Sequence, residues 1–132
     1  MEVEGARPAL EKLRVLRAEG RIVLYYSEFS LLEAIAKAVK LNVPRSVVEY
    51  GVTAITAGYR KAGPRVEAWL LAAELRREGL RDLIDALLYA MASTGRLQLL
   101  TRDRRLLELL EFLEEHGYPT TVVMREEQLL ES

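Results

Sequence analysis

The 132-residue chain has no cysteine and a single histidine, His116. Without thiols there is no disulfide, no thiolate metal site and no cysteine nucleophile. One imidazole cannot build a histidine-based zinc cluster within one chain. A bound metal would have to use oxygen ligands, which suit Mg²⁺ or Mn²⁺. Long apolar runs are also missing, and none reaches the roughly 18 residues that a membrane span requires. The opening MEVEGARPAL has neither the basic nor the apolar part of a secretory signal, so no membrane partner and a cytoplasmic location are expected. A net charge of −1 gives no general attraction to polyanions, and nucleic-acid contact would need a local basic patch. Neither G-x-x-x-x-G-K-[ST] nor G-x-G-x-x-G occurs, which argues against a nucleotide-binding α/β domain.

What is there fits a globular domain. Half the residues are apolar and 30% are charged, and the length suits one domain with its own core. Glycine and proline divide the chain into alternating helical and extended periods. Helices are expected over residues 8–19, 28–41, 44–60, 67–78, 80–93 and 104–116, with a short helical tail. Gly20, Gly79 and Gly117 stand just past three of these ends, where helices stop. Strands are expected at 21–26 (RIVLYY), 97–101 (LQLLT) and 120–124 (TTVVM). Strands that alternate with helices and are apolar on both faces imply a covered parallel sheet. Three strands make a thin sheet for so many helices.

Aspartate is scarce: only Asp82, Asp85 and Asp103 occur. Asp85 lies in LRDLIDALLYAMA, where apolar neighbours would partly desolvate it and a partner is required. An Arg81 pair at i+4 is the simpler explanation. Asp82 begins the same helix, where an acid favours the helix dipole. Asp103 follows the strand LQLLT and precedes a helix. It can cap that helix or face the crevice at the strand's carboxyl end. Leu106 occupies the position where a capping box would need Glu or Gln. Glu33 lies in SEFSLLEAI. Ser30 to Glu33 matches an S-x-x-E capping box and Lys37 stands at i+4, but the helix after a strand also overlooks the crevice. Acids gathered in one place repel one another unless a divalent cation neutralises them. Arg102, Arg104 and Arg105 are either candidate phosphate contacts or solvated surface.

The order of these motifs resembles a PIN domain, the fold of VapC-type toxin ribonucleases. The residues that carry the resemblance are Ser27, Ser30 and Glu33 in YYSEFSLLEAI, Asp85-Ala86-Leu87 in LIDALLYAMA, and Thr101-Arg102-Asp103 in LLTRD. Residues 8–124 take part. The resemblance implies a single three-layer α/β/α domain over residues 1–132 with a parallel sheet. Glu33, Asp85 and Asp103 would be catalytic and metal-binding, with Thr101 and Ser30 supporting. Mg²⁺ or Mn²⁺ would be the cofactor and RNA the substrate, and a homodimer held by a small antitoxin would be the assembly. The family's first strand, which ends in Asp followed by Ser or Thr, has no counterpart: no aspartate precedes Asp82. The expectation is an N-terminally truncated domain whose true start lies upstream. The alternative is a PIN-like module that binds RNA or protein without cleaving.

Overall fold

The computed structural model describes residues 7–101 and 106–131. Two compact units divide the chain, Met1–Gly63 and Pro64–Ser132. Each combines helices with a two-stranded parallel sheet, so the protein is mixed α/β and mostly helical.

The first unit runs α1 (Arg7–Ala18), β1 (Tyr25–Tyr26), α2 (Glu28–Lys40), α3 (Arg45–Gly58) and β2 (Arg60–Lys61). Strand β1 pairs in parallel with β2, Tyr25 opposite Arg60 and Tyr26 opposite Lys61. The extended run expected over residues 21–26 therefore pairs only at its last two residues. Its partner is a two-residue strand of charged, exposed residues that no β-propensity would single out. Ion pairing helps to hold this register, because Lys61 binds Glu28 at the start of α2. The Arg17 side chain of α1 donates to the Gly58 carbonyl and lies 5.0 Å above the Tyr59 ring. One arginine thus joins α1 to the end of α3.

The second unit runs α4 (Val66–Arg77), α5 (Leu83–Thr94), β3 (Leu99–Thr101), α6 (Leu106–Glu115), β4 (Val123–Arg125) and α7 (Glu126–Leu130). Its core is well filled. Ala68, Ala72 and Leu75 of α4 are buried, as are Ala86, Leu87, Tyr89 and Ala90 of α5. Small residues on both helices let the backbones approach, and the two pack closely. Leu75, Tyr89 and Leu113 are the largest fully buried side chains. Burying each is worth about 1.5–3 kcal/mol relative to exposure. The Tyr89 hydroxyl donates to the Pro119 carbonyl at 2.7 Å, so the one polar atom of this deeply buried ring is satisfied. Strand β3 pairs in parallel with β4 in the register Leu99–Val123, Leu100–Met124 and Thr101–Arg125. The last strand lies later than the expected residues 120–124.

Helix ends follow a common pattern. After α4 the Gly79 N–H donates to Arg76 and the Leu80 N–H to the Leu75 carbonyl, with Gly79 at φ +118°. This is a Schellman closure, which needs a residue at positive φ just past the cap. The same pair of bonds closes α1 at Gly20 and α6 at Gly117. At α5 the glycine, Gly95, is the cap itself at φ −89°, and the positive-φ position falls one residue later, on Arg96 at φ 56°.

Candidate functional site

The acids of the second unit gather at the start of α5. Asp82 is the N-cap of that helix, and its Oδ1 accepts from the backbone N–H of Ile84 at 3.0 Å and of Asp85 at 3.1 Å. Asp85 is therefore the third residue of the helix. In a helix beginning at residue 80, as expected from the sequence, Asp85 would lie in the second turn, away from the free N–H groups of the helix start. The structure places it in the first turn, where exposed N–H groups and the helix dipole favour a carboxylate. Both aspartates are half-buried. Their carboxylate oxygens lie within 4.8 Å of each other.

They line a cavity of about 440 Å³ formed by Gly79, Leu80, Arg81, Asp82, Asp85, Glu108, Leu109 and Phe112. The Schellman turn at Gly79 carries the chain from α4 round to Asp82, the N-cap of α5, and the first turns of α5 and α6 supply Asp85 and Glu108. Leu80, Leu109 and Phe112 give the cavity an apolar wall. Arg81, which also lines the cavity, is exposed. Glu108 is not among the site residues expected from the sequence. Its one signal was its place in the first turn of the helix that follows the T-x-D motif. On a helix as rich in glutamate as LLELLEFLEE that signal is weak.

Glu33 sits in the second turn of α2 in the first unit and is half-buried. The expected S-x-x-E box between Ser30 and Glu33 does not cap this helix. Ser27 is the N-cap instead: the Ser30 N–H donates to the Ser27 Oγ at 3.0 Å, and the Ser27 N–H donates back to the Ser30 Oγ at 3.2 Å. A serine thus fills the reciprocating position usually held by Glu or Gln. Ser27 is the one buried polar residue among the described residues, and both hydroxyls are engaged locally. Thr101 ends strand β3. Asp103, Arg102, Arg104 and Arg105 lie outside the described residues.

The donor set in the second unit consists of oxygen alone. Two carboxylates within 4.8 Å of each other beside a cavity fit a hard divalent cation, whose charge would offset their mutual repulsion. Compared with known protein families, curated proteins and solved structures, the chain matches none.

Proposed function

We propose that the chain is a divalent-metal-dependent endoribonuclease of the PIN type, with Mg²⁺ or Mn²⁺ as cofactor, RNA as substrate and a three-layer α/β/α domain as its fold. The observation that supports this most is the half-buried pair Asp82–Asp85 opening α5 beside the cavity. The PIN-like D-A-L motif begins at Asp85 itself. In this reading Asp85, with Glu33 and Asp103 as the resemblance assigns them, holds the cation. A cation bound there supplies an activated water and stabilises the charge that develops on the phosphodiester. Asp82 fixes the first turn of α5 and so orients Asp85. Thr101, at the end of β3, precedes the segment that bears Asp103. Arg81 at the cavity, and Arg102, Arg104 and Arg105 beyond β3, would bind the phosphates of the RNA. A second copy of the chain and a small antitoxin are the partners that the same resemblance proposes, and no helix among the described residues is long and apolar enough to cross a membrane.

The test is cleavage of single-stranded and structured RNA with added Mn²⁺, comparing the chain with Asp85→Asn and Asp103→Asn. Loss of cleavage in both variants, with folding retained, is the expected outcome. Equal cleavage by all three proteins would overturn the assignment. A second reading, a PIN-like module that binds RNA or protein without cleaving it, is favoured by one sequence fact: no aspartate precedes Asp82 to act as the family's first acid. Mn²⁺ titration separates the two, since a non-catalytic module of this kind would show RNA binding without saturable metal binding.

A further inference from the structure

We draw no further inference here: the strongest candidate, the exposed apolar residues Leu32 and Val39 of α2 with Val47 and Tyr50 of α3 in the first unit, carries nothing because nothing in the structure shows what covers it.

Discussion

The Asp82 carboxylate accepts the backbone N–H of Asp85 at 3.1 Å, so one acid of the candidate site fixes the turn from which the other projects. Asp82 also takes the Ile84 N–H, and these two amides would otherwise have no partner inside the helix. Asp82→Ala is expected to lower stability by about 1 kcal/mol, the usual cost of losing an N-cap side chain. Asp82→Asn keeps the accepting oxygen and should cost clearly less. Urea unfolding of the three proteins checks this. A variant Asn as unstable as the variant Ala would show that the cap bond is not what Asp82 contributes.

Asp85→Asn separates chemistry from folding. The substitution keeps the side chain's size and removes only its charge. The lost interaction with the helix N-terminus is worth about 0.3–1 kcal/mol. Mn²⁺ affinity, measured by calorimetry, should fall by about tenfold or more, since disturbing even the groups behind a metal ligand costs that much. RNA cleavage should fall by about 100-fold or more, equivalent to about 2.7 kcal/mol of barrier. Unchanged Mn²⁺ affinity in a folded Asp85→Asn protein would remove this residue from the metal site.

The ends of the helices were legible in the sequence because glycine has a stereochemical role there. Gly20, Gly79 and Gly117 mark the closures of α1, α4 and α6, and each adopts positive φ. The strands were less legible. A run such as RIVLYY has the right side chains throughout, but a strand exists only where a second backbone pairs with it. Here that partner is the charged pair Arg60–Lys61. Contacts between distant segments decide the matter, and local propensity does not record them. The site was legible in part for a similar reason. Asp85 stood out as an acid among apolar residues, although its first-turn position makes it less anomalous than the sequence implied. Glu108 was hidden among the many glutamates of α6.

The reciprocal bonds of Ser27 and Ser30 have a measurable consequence for Glu33. If the S-x-x-E pattern capped α2, Glu33→Gln would preserve a box and Ser27→Ala would matter little. The observed box places the weight on Ser27, which is buried and accepts the Ser30 amide. Ser27→Ala is expected to cost about 1 kcal/mol. Ser30→Ala should cost less on its own, and the double variant should show coupling, because either change breaks the same reciprocal pair. Circular dichroism during urea unfolding gives all three values. Strict additivity would argue against the reciprocal arrangement.

Arg96 holds the positive-φ position after α5, while Gly95 precedes it at an ordinary φ. A left-handed conformation costs a non-glycine residue roughly 1 kcal/mol. Arg96→Gly removes that strain, against some gain of chain freedom in the unfolded state. A net rise in stability of about 0.5 kcal/mol is expected, seen as a higher midpoint in thermal unfolding. The converse substitution at the matching position of α4, Gly79→Ala, should destabilise by about 1 kcal/mol or more. There the φ of +118° disfavours any side chain, although the new Cβ would meet only Phe112 at an ordinary 3.8 Å. Opposite signs at two equivalent helix ends would confirm that backbone conformation, rather than side-chain packing, sets the effect.

Tyr118 supplies the pH dependence. Partial burial is the main cause that pushes its hydroxyl up to about 12; the hydrogen bond to Glu78 and the negative charges of Glu74 and Glu78 act in the same direction. The bond itself, from the Tyr118 hydroxyl to Glu78 Oε2, is 2.8 Å long. It links the loop after α6 to the end of α4. In the unfolded chain the same hydroxyl ionises near 10.0. The folded protein therefore keeps the proton at pH values where the unfolded chain releases it. The stabilisation is complete below about pH 10 and is lost as pH rises through about 12. Tyr118→Phe should flatten this part of the alkaline stability profile and leave stability at pH 7 little changed apart from the lost bond. Ultraviolet titration of the tyrosines should lose one late-ionising group in the variant. Tyr89, held protonated by burial, should remain as a late component in both proteins. Loss of an ordinary component near 10 in Tyr118→Phe, with the late-ionising component unchanged, would show that Tyr118 ionises with the ordinary tyrosines and that the Glu78 bond does not hold its proton.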